Sequence, residues 1–325
     1  MVDTDLPMRM PRFSRLRWTL RFDRPAVLPR FPGSALRGLL RHGLRKTACI
    51  MQRDGCTGCL LADSCAYTRL FEPSAARRGP ARVPYVLAVP VATEERPHPC
   101  DLFRFEMTLL EPCLQDFPYL LQAMRLAGRR GLGRRRSRFE VVAVEAQRRL
   151  GTEAWETIYR DGQCLALPEP VEASVPPMPD AVELTWLTPF RFKRRGRLVG
   201  PEAFGAGILM ESLLHRVHGV LGERPPRTAL DQVRRLRLDA RSEATWQEWS
   251  RFSSRQRTRM QIGGVSGRLY CTLPEAFAPW WPLFWLGQWL HVGKLVSMGL
   301  GRYRLWPQAC QEVPGPGGTL SWPRP

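Results

Sequence analysis

Hydrophobic and polar positions alternate cleanly from Arg15 to Phe22. Leu16, Trp18, Leu20 and Phe22 share one face, and Arg15, Arg17, Thr19 and Arg21 share the other. A period of two predicts a half-buried strand with a cationic face. After Pro32 the period lengthens, and Leu36, Leu39, Leu40, Gly43, Leu44 and Thr47 fall on one stripe. That stripe predicts an amphipathic helix, with Ser34 as its N-cap. Residues 85–92 and 102–110 read as strands, 116–126 as a short helix and 139–146 as a further strand. The order βαββαβ is that of a ferredoxin-like unit. A Pro-rich stretch, with Pro168, Pro170, Pro176, Pro177 and Pro179, marks a linker over 149–180.

The second half repeats the outline. Strands are expected at 181–187, 265–273 and 302–306, with helices at 201–221 and 276–291. In each half the second helix runs into a Gly-rich turn and then a strand, at 131–139 (GLGRRRSRF) and at 293–303 (GKLVSMGLGRY). The expected fold class is therefore α+β. It comprises two ferredoxin-like (RRM-like) domains in tandem, over 12–148 and 181–307, with a Cys-rich insertion at 49–65. An irregular tail is expected over 308–325.

Composition adds a partner to this outline. Lys plus Arg outnumber Asp plus Glu by 49 to 30, a net charge of +19. Lys46, Lys193 and Lys294 are the lysines, and every other cation is Arg. Such an excess calls for a polyanion, either nucleic acid or an anionic membrane surface. Arg favours bidentate phosphate contacts and stacking on bases. A hydrophobic share of 44% with 11 Trp excludes a disordered polyelectrolyte. The N-terminal residues lack the apolar core of a secretory signal. The uncharged run between Glu275 and Lys294 is interrupted by Pro279 and Pro282 and makes a poor membrane span. A cytoplasmic protein without a membrane partner is expected.

One long stretch, 246–306, carries a family signature. W-x-x-W-x-x-x-S begins at Trp246, then come GG-x-x-G at 263–267, HVGK at 291–294 and GLG-x-Y at 299–303. The N-terminal half adds GSALRGLLRHGLRKTAC at 33–49 and GLG at 131–133. The chain resembles the CRISPR-associated endoribonucleases of the RAMP (repeat-associated mysterious protein) superfamily, which process precursor crRNA. The resemblance implies two ferredoxin-like domains and cleavage of CRISPR repeat RNA without a catalytic metal. It further implies 2′,3′-cyclic phosphate and 5′-hydroxyl ends, and a product that stays bound. Other CRISPR effector subunits become candidate partners. The alternative is a non-catalytic crRNA-binding subunit of an effector complex.

The residues offer candidate sites for that chemistry. Arg129, Arg130, Arg134, Arg135, Arg136 and Arg138 crowd ten positions without an acid, and Gly131 and Gly133 between them would let backbone N–H groups meet phosphates. In the second turn Gly293, Gly299 and Gly301 accompany Lys294 and Arg302, which the resemblance places against RNA. Arg251, Arg255, Arg257 and Arg259 form a further basic cluster, as do Arg191, Lys193, Arg194, Arg195 and Arg197.

Cleavage without a metal needs a proton acceptor, a proton donor and cations for the charged phosphorane. His42 and Lys46 lie one helical turn apart on the polar flank of the first helix. They are the expected proton carrier and charge stabiliser, and the resemblance puts catalytic His and Lys residues near this helix. His291 is the candidate second group. One His cannot be acid and base in a single step, so a partner is still required. Cys49, Cys56, Cys59 and Cys65 have the spacing C-x6-C-x2-C-x5-C. Four thiolates suit a structural zinc, with an iron–sulfur cluster as the lesser alternative. Cys100, Cys113, Cys164, Cys271 and Cys310 read as core residues.

Overall fold

The computed structural model describes residues 10–51, 55–76, 82–91, 99–111, 113–236, 238–253 and 258–308. The first unit opens with β1 (Phe13–Ala26) and α1 (Gly33–Ala48), followed by the short helices α2 (Ala66–Phe71) and α3 (Pro73–Ala76). Then come β2 (Tyr85–Ala88), β3 (Cys100–Leu110), α4 (Phe117–Arg130) and β4 (Phe139–Gln147). β5 (Trp155–Arg160) and β6 (Gln163–Cys164) complete one antiparallel sheet in the order β2-β3-β1-β4-β5-β6. Its first four strands have the ferredoxin-like order that the hydrophobic pattern predicts. Leu16, Trp18 and Leu20 are each fully buried, and Trp18 stacks on Phe105 with ring centroids 6.0 Å apart. The opposite face of β1 is less cationic than its sequence implies, because Arg15 pairs with Glu106 and Arg17 with Glu153.

The second unit contains β7 (Ala181–Trp186), the hairpin β8 (Lys193–Arg194) and β9 (Arg197–Leu198), α5 (Ala206–Leu221) and α6 (Arg227–Arg235). It continues through β10 (Ala240–Gln247), the hairpin β11 (Ser250–Ser253) and β12 (Thr258–Gln261), β13 (Gly264–Thr272), α7 (Trp281–Leu290) and β14 (Tyr303–Gln308). The sheet order β10-β13-β7-β14 repeats that of the first unit. Leu209, Leu213, Phe277 and Phe284 are fully buried in its core.

Several expected boundaries move. Residues 155–164, expected within the linker, extend the first sheet as β5 and β6, with Ile158 and Tyr159 buried. The helix expected at 116–126 runs on to Arg130, where Gly131 at φ 77° ends it. α1 starts at Gly33, with Pro32 rather than Ser34 in the cap position. The aromatic helix divides into a 3-10 turn over Glu275–Trp280 and then α7. Trp280, Trp281 and Trp289 are buried, so this helix belongs to the core.

The units are joined along α1 and along β2. Gly33 packs so tightly that an added Cβ would lie 1.8 Å from the Met298 carbonyl oxygen, in the C-terminal Gly-rich turn. At Gly43 an added Cβ would lie 2.1 Å from the Ala123 oxygen of α4. Arg37 Nε donates to Ser297 Oγ at 3.1 Å. Arg216 of α5, 4% exposed, donates to the carbonyls of Val83 (2.6 Å) and Tyr85 (3.3 Å). Because α1 and α4 cannot separate without opening the first core, Gly43→Ala is expected to cost about 1–3 kcal/mol. Urea unfolding against wild type checks this, and an unchanged midpoint would show that the helices part freely.

Candidate active site and nucleic-acid interface

α1 carries His42 and Lys46 on adjacent turns, His42 half-buried and Lys46 exposed. The close approach at Gly43 sets the last turn of α4 beside them. Arg130 Nη1 lies 2.7 Å from His42 Nε2. A guanidinium can only donate, so Nε2 is the acceptor and the neutral ring holds its proton on Nδ1. Burial, then the charges of Arg130 and Lys46, hold the His42 pKa below the ordinary imidazole value. At neutral pH His42 is a base in waiting, flanked by two cations.

Beyond Arg130 the first Gly-rich turn folds into a tight hairpin. Leu132 and Ser137 exchange backbone hydrogen bonds of 2.9 and 3.0 Å, and Arg136 N–H donates to Gly133. The N–H of Gly131 is likewise engaged by the end of α4. The N–H groups of Gly131, Leu132, Arg136 and Ser137 are therefore already engaged. What the turn offers instead is side chains. Arg129, Arg130, Arg134, Arg135, Arg136 and Arg138 are all exposed.

The second Gly-rich turn is tied to the segment before β8, with the N–H of Lys294 on the Arg191 carbonyl and that of Gly301 on the Pro189 carbonyl. All five predicted loop glycines, Gly131, Gly133, Gly293, Gly299 and Gly301, adopt positive φ. At Gly301 (φ 73°) an added Cβ would also collide with the Val292 oxygen at 1.8 Å. His291 is only 1% exposed, adopts φ 49°, and places Nδ1 3.2 Å from the Leu300 carbonyl. Burial, followed by the nearby Arg302 charge, keeps it neutral by driving its pKa well down. His291 thus closes the base of the turn, a position from which it does not reach solvent. It is placed as a clasp of the turn, and the second proton carrier expected there would have to act from this buried position. Lys294 is exposed. Arg302 points elsewhere, into a small polar cavity with Arg15, Glu106 and His291.

Of the remaining basic candidates, Arg251 and Arg259 fall on the hairpin β11–β12, which pairs Arg251 with Met260 and Phe252 with Arg259. Arg255 and Arg257 lie outside the described residues, as do His98 and Cys310. The preceding Trp249 packs on Phe31, just ahead of α1, with ring centroids 4.8 Å apart. The hairpin therefore springs from the junction of α1 and the second Gly-rich turn.

The four cysteines do not assemble. Among the described residues, which include Cys49, Cys56, Cys59 and Cys65, no three His, Cys, Asp or Glu side chains gather as a metal site. Cys56 is buried, and burial raises its thiol pKa, with Thr68, Glu72 and Cys65 as its electrostatic neighbours. Cys65 Sγ instead lies 3.8 Å from the Ala48 carbonyl oxygen. As placed, the four thiols are not gathered into the set that the expected zinc or iron–sulfur centre requires. Cys113 and Cys271 are core residues as read, and Cys100 is partly buried, whereas Cys164 is exposed.

Arg130 is the functional neighbour that sequence reasoning placed only in an RNA-binding turn. The signal for its contact with His42 was the continuation of the 117–130 helix, with Gly43 facing Ala123.

Two family models match the chain. One, described as an N-terminal domain, covers residues 9–172, and the other, described as CRISPR-associated endoribonuclease Cas6, covers residues 184–303. Among solved structures, a Cas6 product complex matches with a TM-score of 0.53 and 17% identity, over 91% of this chain and 99% of that one. Thermus thermophilus Cas6 matches with a TM-score of 0.51 and 15% identity, over 92% of this chain and 100% of that one. A partial Cas6-RT-Cas1–Cas2 complex matches at 0.52 and 13% identity, over 92% of this chain and 46% of that one. At these identities the likeness establishes the fold, two ferredoxin-like units in tandem. No curated protein matches the chain.

Removing the Arg130 charge is expected to raise the His42 pKa toward 6.5. An NMR titration of Arg130→Ala against wild type reads this directly, and equal midpoints would refute the contact. His291→Ala is expected to speed amide exchange across 292–301 while leaving that of α4 unchanged. Uniform exchange throughout would mean that His291 clasps nothing.

Proposed function

We propose that the chain is a Cas6-type CRISPR-associated endoribonuclease, a reading supported by the family-model match over residues 184–303 and the fold shared with solved Cas6 structures, and that it cuts precursor crRNA within a repeat at His42. The observation that carries this reading is the meeting of His42, Lys46 and Arg130 at the edge of an exposed Arg-rich turn. An arriving phosphate competes for Arg130, since a guanidinium pairs more strongly with an anion than with an imidazole. That exchange frees His42 Nε2 to take the 2′-OH proton. The 2′-oxygen then forms a bond to the adjacent phosphorus, and the bond from phosphorus to the 5′-oxygen breaks. Arg130 and Lys46 stabilise the extra negative charge of the phosphorane. Arg does not release a proton in proteins, so Lys46 supplies the proton that the departing 5′-oxygen needs. The products are a 2′,3′-cyclic phosphate and a 5′-hydroxyl. No step requires a metal.

Phosphates flanking the cut engage Arg129, Arg134, Arg135, Arg136 and Arg138, whose exposure supports retention of the product. Other CRISPR proteins are proposed as partners, in keeping with the likeness to a Cas6-RT-Cas1–Cas2 complex. No helix among the described residues is long and apolar enough to cross a membrane.

Repeat RNA incubated with the protein in EDTA is expected to be cut. His42→Ala should slow cleavage by about 10²–10⁴-fold, and Arg130→Ala by about 10²–10³-fold. A 2′-deoxy nucleotide 5′ of the scissile phosphate should block it. Wild type that binds the repeat and never cuts it would instead make the chain a crRNA-binding subunit.

A further inference from the structure

The run Leu70-Phe71-Glu72-Pro73 closes α2 and brings a carboxylate against α1. Arg37, Arg41 and Arg45 recur every four residues along one flank of α1, and His42 and Lys46 occupy the other. The arginine flank rests on α2. The guanidinium carbon of Arg37 lies 5.4 Å from the Phe71 ring centroid, and those of Arg41 and Arg45 lie 6.0 and 5.7 Å from that of Tyr67. Both rings are buried. Glu72 accepts a hydrogen bond from Arg41 Nη2 at 3.4 Å and another from the Tyr67 hydroxyl at 3.2 Å. Burial works to raise the Glu72 pKa, yet Arg41, Tyr67 and Cys56 donate to the carboxylate and hold it below the ordinary value. Half-buried and anionic at neutral pH, Glu72 thus ties α1 to α2 and to the cysteine segment. The other contacts of α1 are less directional. Leu36, Leu40 and Leu44 choose its buried face, but apolar burial sets no angle. Gly43 on the Ala123 backbone sets the distance to α4, with no side chain to interlock. A rotation of α1 by about 20° would carry a side chain at a radius of about 5 Å through about 2 Å. That is enough to part His42 from Arg130, now 2.7 Å away.

We propose that Glu72 is a positioning residue for RNA cleavage: by holding Arg41 against Tyr67 it fixes the rotation of α1, and with it the place of His42 beside Arg130 and the scissile phosphate. The proposal rests on the RNA-processing function above. Glu72 acts through Arg41 and the helix, and meets no reacting atom itself. Without its charge, three guanidiniums four residues apart repel one another, and α1 turns to relieve them. The Leu-Phe-Glu-Pro run and the buried Cys56 thiol thereby gain a role that does not depend on a metal.

The titration of His42 separates this role from a direct charge effect, because the two have opposite signs. Removing a nearby anion by itself lowers a histidine pKa. Losing the Arg130 contact raises it toward 6.5. In the RNA-free protein, Glu72→Ala should therefore move the NMR midpoint of His42 upward, and should move it no further in an Arg130→Ala background. Glu72→Gln keeps an acceptor oxygen for Arg41 and Tyr67 and should restore most of the wild-type midpoint. In EDTA, Glu72→Ala should cut repeat RNA about 10–100-fold more slowly at saturating protein, with no loss of RNA affinity. Melting curves verify that each variant is folded at the assay temperature. Tyr67→Phe alters no charge, so a rise it causes comes from geometry alone, and it carries the test should Glu72→Ala not fold. A midpoint that falls or stays put, a rise that adds to that of Arg130→Ala, or a normal cleavage rate in Glu72→Ala overturns the proposal. Wild type that leaves the repeat uncut overturns the RNA-processing function and the role in cleavage with it, while the RNA-free titration still reads the link between Glu72 and His42 separately.

Discussion

Two carbonyl oxygens press on the backbone of α1, that of Met298 at Gly33 and that of Ala123 at Gly43. A glycine inside a helix costs roughly 0.5–1 kcal/mol relative to alanine, so its presence at both contacts needs a packing reason. That reason is reach. At Gly43 the helix comes near enough to α4 for Arg130 to touch His42. At Gly33 it comes near enough to the second Gly-rich turn for Arg37 to bond Ser297. One helix thereby gauges the distance between His42 and the second Gly-rich turn. Gly38, between them, has nothing within 4 Å of an added Cβ, which confines the constraint to the two contacts.

The charge of the chain divides in a similar way. Some arginines are structural, such as Arg69 on the buried Asp116, Arg234 on Glu211 and Arg216 on the carbonyls of β2. The exposed cations beside α4 and on β8 lie largely apart from the acids. Segregation of this kind gives a polyanion a path while the cores stay neutralised. It also makes the path sensitive to ionic strength, since exposed charges are screened within about 10 Å at 0.1 M salt.

How much of this could be read beforehand varied with burial. β1 and α1 were legible because one face of each is fully buried, so the pattern was strong. β10 was not, because it is an edge strand with no fully buried residue and so shows no alternation. β5 was hidden beside a proline-rich stretch, with only Ile158 and Tyr159 to betray it. The contact between His42 and Arg130 joins residues 88 apart, and nothing local encodes it. The cysteine spacing raises the opposite issue. It is a local pattern, but side-chain direction decides ligation, and Cys56 faces Thr68 and Glu72. The burial of His291 was likewise not legible, because a histidine next to a glycine-rich turn reads alike whether it faces solvent or, as here, the interior.

The outer edge of β2 carries a consequence for biosynthesis. Its free hydrogen-bonding groups are covered by the second unit, through Arg216 on Val83 and Tyr85 and through the turn at Gly299 against Leu87. An uncovered edge is a template for pairing with another chain. Gly299 follows Ala88 by 211 residues, which a ribosome adds at about 5–20 per second. The nascent first unit therefore waits roughly 10–40 s for its cover. In that interval a strand containing Tyr85, Val86 and Leu87, all destined for burial, stands open to other nascent chains. The two halves, alike in topology, are for that reason a single unit of synthesis and quality control rather than a pair of interchangeable modules.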